Sequence, residues 1–131
     1  MEEKNGINIY HERLMDYYQH PRNAGHVEHA DFSSGSVNPS CGDSVQFDGM
    51  VHDGIVTKIV FSGSGCVISQ AASSMLAEYA EHKSIDELLT VTKDDMVRLI
   101  GVALGPIRLK CALLPLQALQ QGLLEYKKSR E

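Results

Sequence analysis

The spacing of apolar residues predicts helical structure at both ends of the chain and extended structure between them. From residue 8 to residue 19 the apolar side chains recur at helical spacing. They are Ile9, Tyr10, Leu14, Tyr17 and Tyr18. Pro21 ends this helix, because proline disfavours the helical conformation of the residue before it. The polar segment 24–35 is predicted to be a mobile stretch of the surface.

Between residues 36 and 62 the apolar positions alternate instead, which is typical of strands with one buried face. The alternating residues are Val45, Phe47 and Val51, followed by Ile55, Ile59 and Phe61. A turn is indicated at 52–54, where Gly54 supplies a positive φ. Val37 is assigned to a first short strand. The pattern therefore predicts a three-stranded antiparallel sheet.

Helical spacing returns after Cys66, with a long amphipathic helix over 67–80. Ser84 and Thr92 each precede the start of a shorter helix, and Ser84 has the Ser-x-x-Glu spacing of a capping box. The last helix is predicted to run from near Cys111 to about Lys128, with Pro115 in its first turn, where proline is tolerated. Strands followed by helices indicate an α+β fold, here a three-stranded antiparallel sheet packed against several helices. We expect one domain over residues 1–131.

The composition narrows the class of protein. The chain has 131 residues, 43% hydrophobic and 22% charged, with a net charge of −5. This charge argues against nucleic acid as a partner, because phosphate binding needs a basic face. No apolar run approaches the roughly 18 residues of a membrane span, and no signal peptide is visible. We expect a cytoplasmic protein that does not contact membranes and is a monomer.

The three cysteines are the main candidates for chemistry. Their odd number and the expected reducing compartment argue against a disulfide framework. Cys41 lies in the loop segment NPSCGD, Cys66 at a glycine-rich strand-to-helix junction and Cys111 at a loop-to-helix junction. Two of them are thus predicted at helix N-termini, where free N–H groups stabilise a thiolate.

Asp43 adds a fourth candidate ligand close to Cys41. Three thiolates and one carboxylate suit a tetrahedral Zn²⁺ site and could also hold part of an iron–sulfur cluster. A carboxylate in place of a fourth thiolate should make the site labile. We expect this metal site in the loops at one end of the sheet. The spacing alone leaves open that the three cysteines are unrelated.

Four segments resemble the iron–sulfur cluster assembly scaffolds, a family that includes IscU, SufU and the N-terminal module of NifU. They are LMDYYQHPRNAG, NPSCGD, GSGCVISQAASSM and GPIRLKCALLPLQAL, in the order that the family has them. The resemblance implies the same α+β fold and metal binding by Cys41, Asp43, Cys66 and Cys111. It also implies that a cysteine desulfurase delivers persulfide sulfur to one of these thiolates.

Two departures bear on the branch of the family. Lys110 stands where IscU proteins have a histidine, and residues 104–108 read LGPIR where IscU proteins have a segment for an Hsp70-type chaperone. The segment around Cys111 is similar to SufU, but the chain lacks most of the insertion found in SufU proteins. We expect a short SufU-type protein in which Arg108 and Lys110 stabilise the thiolates or contact an acidic partner.

Three functions follow as hypotheses. The first is a scaffold on which a [2Fe-2S] or [4Fe-4S] cluster is built and passed to a carrier or an apo-protein. The second is a zinc-dependent sulfurtransferase that relays sulfur to a separate scaffold, and the third is a structural zinc domain. For the first two we predict Cys41 as the persulfide acceptor, because it lies in the most open loop beside Gly42. We expect Zn²⁺ in the protein as isolated.

Overall fold

The computed structural model describes residues 2–40 and 42–130, and these residues form an α+β fold. In chain order the elements are α1 (Glu2–Gln19), β1 (Phe32–Asn38), β2 (Asp43–His52), β3 (Ile55–Ser64), α2 (Val67–Ala80), α3 (Ile85–Leu89), α4 (Lys93–Ile100) and α5 (Pro106–Ser129). The predicted fold class is confirmed. No helix in the described part of the chain combines the length and the hydropathy needed to cross a membrane.

The three strands form one antiparallel sheet in the order β1-β2-β3. The predicted turn between β2 and β3 is present, and both of its central residues have positive φ, 51° at Asp53 and 75° at Gly54. This is the backbone of a type I′ turn, whose twist matches that of the two strands it joins. The turn lies at the end of the sheet opposite to the start of β2.

One face of the sheet packs against α2 and α5 and forms the core with them. Fully buried residues from both layers include Phe47, Ile59, Ala72, Leu76 and Leu119. β1 begins at Phe32, so the prediction of a surface segment through residue 35 is wrong there. The reason is close packing with small residues, since a Cβ on Gly122 of α5 would stand only 2.6 Å from the Cβ of Ser34.

Two helices are longer than the apolar pattern indicated. α1 begins at Glu2, before the first apolar residue of its stripe. α5 begins at Pro106, which occupies the first turn, where its missing N–H does not matter. Pro115 therefore lies inside the helix, and the predicted start near Cys111 is wrong. Because Pro115 has no N–H, it cannot donate to the carbonyl of Cys111 four residues earlier.

The segment between α1 and β1 is attached to the sheet by hydrogen bonds. Phe61 N–H donates to the carbonyl of Asn23 at 2.7 Å, and Gly25 N–H donates to the carbonyl of Phe61 at 2.8 Å. Further along, Val51 N–H donates to the Asp31 carboxylate at 2.8 Å. The segment is therefore held against the sheet from the edge of β3 to β1, where the sequence predicted a mobile stretch of the surface.

Candidate metal centre

Asp43, Cys66 and Cys111 come together at one end of the sheet. Asp43 is the first residue of β2, Cys66 precedes α2 and Cys111 lies in the second turn of α5. One carboxylate oxygen and the two sulfur atoms all lie within 4.8 Å of one another. Cys41, the remaining predicted ligand and the predicted acceptor, lies outside the described residues.

Cys66 is the N-cap residue of α2, as predicted. Its backbone is extended (φ −73°, ψ 164°), and its sulfur accepts a hydrogen bond from the N–H of Ser69 at 3.4 Å. The Ser69 hydroxyl donates back to the Cys66 carbonyl at 3.2 Å. A sulfur in this place receives the free N–H groups of the first helical turn, which favour its negatively charged form.

The Asp43 carboxylate is buried against Cys66, with 1% of the residue exposed. Its Oδ1 accepts the backbone N–H of Cys66 at 2.7 Å, and its Oδ2 lies 3.3 Å from the Cys66 sulfur, whose S–H donates to it. Burial of a carboxylate is unfavourable unless hydrogen bonds or a cation compensate it. The sequence placed Asp43 in this site but did not indicate the bond from the Cys66 amide.

Cys111 is also buried, with 5% of the residue exposed, but it does not lie at a helix N-terminus. It is the sixth residue of α5, so the prediction that its sulfur lies at a helix cap is wrong. The two prolines explain the error, because Pro106 and Pro115 both fit a first turn and only the former is there. Arg108 and Lys110 lie in the first two turns of the same helix, and both are exposed.

Two glycines before Cys66 make room for the start of β2. A Cβ on Gly63 would stand 2.2 Å from the carbonyl oxygen of Ser44, and one on Gly65 would stand 2.1 Å from Oδ1 of Asp43. These glycines let the end of β3 approach both the neighbouring strand and the buried carboxylate.

The donor set fits a zinc ion. Zinc–sulfur bonds of about 2.3 Å in tetrahedral geometry separate two sulfur ligands by about 3.8 Å. The described ligand atoms lie within 4.8 Å of one another, so small side-chain movements would bring them to such separations. Two thiolates and a carboxylate are ligand types that zinc accepts, and a third thiolate would complete four-coordination.

A groove of about 520 Å³ lies beside this site along the end of β3, and its lining includes Gly65, which precedes Cys66. The groove is open to solvent, and its walls come from the end of α1, the following segment and the first turns of α2. Residues that line it include Tyr18, Pro21, His26, Gly65 and Gln70. Of the two described cysteines, Cys66 is partly exposed and Cys111 is buried, so Cys66 is the more accessible from solvent.

The comparison with protein families decides the relationship. Residues 9–131 match the family described as the NifU-like N terminal domain. The chain belongs to this family. The match covers most of the chain, and the expectation that residues 1–131 form a single domain stays a prediction.

Curated relatives of this NifU-like chain include iron–sulfur cluster assembly scaffold proteins. IscU 1 of Archaeoglobus fulgidus is 34% identical over 118 residues, which are 90% of this chain and 76% of that protein. IscU of Escherichia coli strain K12 is 32% identical over 126 residues, 93% of this chain and 97% of that protein. The predicted relationship to the scaffold family is therefore confirmed.

Two solved structures have the same fold as this chain. A Fervidobacterium islandicum protein described as a scaffold for the SUF system is 27% identical, with a TM-score of 0.76 over 86% of this chain and 94% of that one. The N-terminal part of a NifU-like protein from Brucella abortus has a TM-score of 0.75 over 95% of this chain and 96% of that one. At 21% identity this second likeness concerns the fold alone. The assignment to a short SufU type stays a prediction.

Proposed function

We propose that the protein is a scaffold that receives persulfide sulfur and supports the assembly and transfer of iron–sulfur clusters. The observation that carries the proposal is the convergence of Asp43, Cys66 and Cys111, whose ligand atoms lie within 4.8 Å although they come from three separate elements. With Cys41 these residues form the proposed Cys₃Asp site. Membership of the scaffold family supports it.

The sulfur acceptor in this proposal is Cys41. When bound, Zn²⁺ would keep the thiols deprotonated and link the segments that carry them. The Cys41 thiolate attacks the outer sulfur of a persulfide on a cysteine desulfurase. A new sulfur–sulfur bond forms on Cys41, the donor's sulfur–sulfur bond breaks, and the donor cysteine leaves as a thiolate. Asp43 keeps its place beside Cys66 during this transfer.

The substrates of this function are iron and sulfur, and the product is a [2Fe-2S] or [4Fe-4S] cluster held transiently by the same ligands. The proposed partners are a cysteine desulfurase and a downstream carrier or apo-protein acceptor. Arg108 and Lys110 are exposed near Cys111, where they can contact an acidic partner surface. A cytoplasmic location and a monomeric state stay predictions from the sequence.

A second candidate is a zinc-dependent sulfurtransferase that relays sulfur to a separate scaffold. The observation that favours it is Lys110, which precedes Cys111 where IscU proteins have a histidine. Its side chain is exposed on α5 and cannot replace an imidazole as a metal ligand while it is protonated. In this alternative Cys41, Asp43, Cys66 and Cys111 would hold a zinc ion, which would keep the thiols deprotonated for sulfur transfer.

Desulfurase turnover and cluster transfer distinguish the two candidates. We would assay both with wild type, Cys41→Ala and Asp43→Ala, with Asp53→Ala on the distant turn as the matched control. For a scaffold, a cluster reconstituted on wild type survives and passes to an apo-ferredoxin, and Cys41→Ala lowers this transfer. For a relay, the zinc-loaded protein raises desulfurase turnover, Cys41→Ala abolishes the rise, and no stable cluster forms. Wild-type behaviour of Cys41→Ala in both assays would contradict Cys41 as the acceptor.

A further inference from the structure

The two oxygens of the Asp43 carboxylate have different surroundings. Oδ1 accepts the backbone N–H of Cys66 at 2.7 Å, whereas Oδ2 lies 3.3 Å from the Cys66 sulfur. A hydrogen bond from an amide to a carboxylate is a strong, charge-assisted one. Because this amide belongs to the backbone at the start of α2, it cannot turn away as a side chain could. Oδ1 is therefore occupied by the protein itself.

This arrangement requires glycine at position 65 for two reasons, its backbone conformation and the lack of space for a side chain. Its φ is +137°, a conformation that residues with a side chain rarely adopt. A Cβ at this position would stand 2.1 Å from Oδ1, 2.8 Å from Cγ and 2.8 Å from the Cα of Asp43. Since one of these atoms is backbone, the conflict cannot be relieved by rotating the Asp43 side chain alone.

We propose that Gly65 is a positioning residue that makes Asp43 a metal ligand through Oδ2. This inference rests on the proposed metal site. The Cys66 amide holds Oδ1, and Oδ2 lies 3.3 Å from the Cys66 sulfur, so Oδ2 is placed to bind an ion together with that sulfur. A carboxylate that binds through one oxygen leaves room for three sulfur ligands in a four-coordinate site. Substitution of Gly65 should displace the carboxylate further than the sulfur atoms, because all three short contacts of the added Cβ are with Asp43.

Cobalt(II) in place of zinc gives a readout that does not depend on activity. We would load wild type, Asp43→Ala and Gly65→Ala with Co²⁺ and record the thiolate-to-cobalt charge-transfer bands, the d–d bands and the affinity. Gly25→Ala is the matched control, because Gly25 has a φ of +140° but nothing within 4 Å of a Cβ. We expect Gly65→Ala to keep the charge-transfer bands and to show the d–d spectrum of Asp43→Ala. We expect its affinity to fall about tenfold, as for loss of an orienting partner of a ligand. Gly25→Ala should resemble wild type.

A double-mutant cycle separates positioning from a general structural effect. If Gly65 acts through Asp43, Gly65→Ala should cost little further affinity in the Asp43→Ala background. An equal loss of affinity in both backgrounds, or a wild-type d–d spectrum of Gly65→Ala, would overturn the inference. Wild type without charge-transfer bands would overturn the metal site itself, and the inference with it.

If Gly65→Ala does not fold, Asp43→Glu supplies the second test. Glutamate keeps the negative charge. Its side chain is longer by one methylene, so it cannot accept the hydrogen bond of the Cys66 amide and also present its second oxygen at the same place. We expect Asp43→Glu to give the d–d spectrum of Asp43→Ala. A wild-type spectrum and affinity of Asp43→Glu would overturn the inference, because the position of the carboxylate would then not matter.

Discussion

β2 carries two buried carboxylates that differ in their partners. Asp43 and Asp48 lie on opposite faces of the strand, and only 1% and 4% of these residues are exposed. Asp48 accepts hydrogen bonds from the hydroxyl of Ser33, the amide of Gln46 and the backbone N–H of Val27, and it also contacts the His26 ring. Asp43 accepts a hydrogen bond from the backbone N–H of Cys66, and its carboxylate lies within 4.8 Å of the sulfur atoms of Cys66 and Cys111.

Because both carboxylates are buried but have different partners, burial alone does not indicate the role of a carboxylate. Around Asp48 the protein supplies N–H and O–H donors, which stabilise the ionised carboxylate and tie the segment before β1 to the sheet. Around Asp43 the neighbouring sulfur atoms are proposed ligands, and their thiolate forms would add negative charge. A bound cation would stabilise this cluster of negative groups. The contacts of Asp48 thus fit a structural role, and those of Asp43 fit the proposed metal site.

The largest effect is expected from loss of a ligand. Cys66→Ala should lower the affinity for zinc by more than about 100-fold, because even the loss of residues that only orient ligands costs 10- to 100-fold. Competition with a chromophoric chelator measures this affinity. Asp48→Asn is the control and should bind zinc as wild type does. Equal affinities of Cys66→Ala and wild type would remove Cys66 from the site.

Asp48→Asn should instead lower the free energy of unfolding by about 2–3 kcal/mol. An amide has one acceptor oxygen in place of two and no charge, so the donors around it lose charge-assisted hydrogen bonds. Asp53→Asn is the control on the same hairpin. The Asp53 side chain is 88% exposed, and the change there should stay within about 0.5 kcal/mol. Urea unfolding of the metal-free proteins measures both, and equal stabilities would contradict the structural role of Asp48.

Protonation of Asp48 at acidic pH should lower the stability of the folded protein. Burial raises the pKa of Asp48, but the hydrogen bonds from Ser33, Gln46, Val27 and His26 outweigh it and hold the pKa below its usual value of 3.8. A lowered pKa in the folded state adds stability above the unfolded value, and this is lost as the pH falls through the folded pKa. The pKa of Asp95 is also lowered, by its hydrogen bonds with Thr92 and Arg98.

Unfolding of the metal-free protein, measured between pH 5 and pH 2, isolates the contribution of Asp48 to the pH dependence of stability. Wild type should lose stability steadily as the pH falls, and Asp48→Asn should lose less over the same range. Both proteins retain Asp95, so the difference between their curves reports Asp48. Parallel curves would show that the pKa of Asp48 is the same in the folded and unfolded protein.

The smallest effect is expected from a single donor to Asp48. Ser33→Ala removes the hydroxyl that donates to Oδ1 and should destabilise the protein by about 1–2 kcal/mol. Ser44→Ala is the matched control, because the Ser44 hydroxyl only approaches that of Ser64 at 3.4 Å on the exposed side of the sheet. The effect of Ser33→Ala should shrink in the Asp48→Asn background. An undiminished effect there would mean that the hydroxyl acts elsewhere.

Much of the fold could be predicted from local patterns. The alternation around Phe47 and Ile59, the turn at Asp53-Gly54 and the caps at Ser84 and Thr92 are local signals, and the structure confirms each. The start of α5 could not be placed, because two prolines fit a first turn equally well and only tertiary packing selects one of them. β1 was mostly missed, because its serines and glycine have little apolar character and are held by contact with α5.

The sequence predicted that Asp43, Cys66 and Cys111 meet, but it did not predict how they contact one another. The glycines before Cys66 and the helix after it predicted a sulfur at the cap of α2, which the structure confirms. The hydrogen bond that the Cys66 backbone N–H donates to Asp43 joins two distant segments and has no local signal in the sequence. The burial of Asp48 was missed for the same reason. Alternation assigned it to the outer face of the sheet, but only the folded chain places Val27 over it.

X-ray absorption at the zinc edge tests the central claim most directly, namely that Cys41, Asp43, Cys66 and Cys111 hold one ion. The zinc-loaded wild-type protein should show three sulfur neighbours at about 2.3 Å and one oxygen at about 2.0 Å. Cys111→Ala should reduce the sulfur count by one. A shell of nitrogen and oxygen with at most one sulfur, unchanged by Cys111→Ala, would contradict the account.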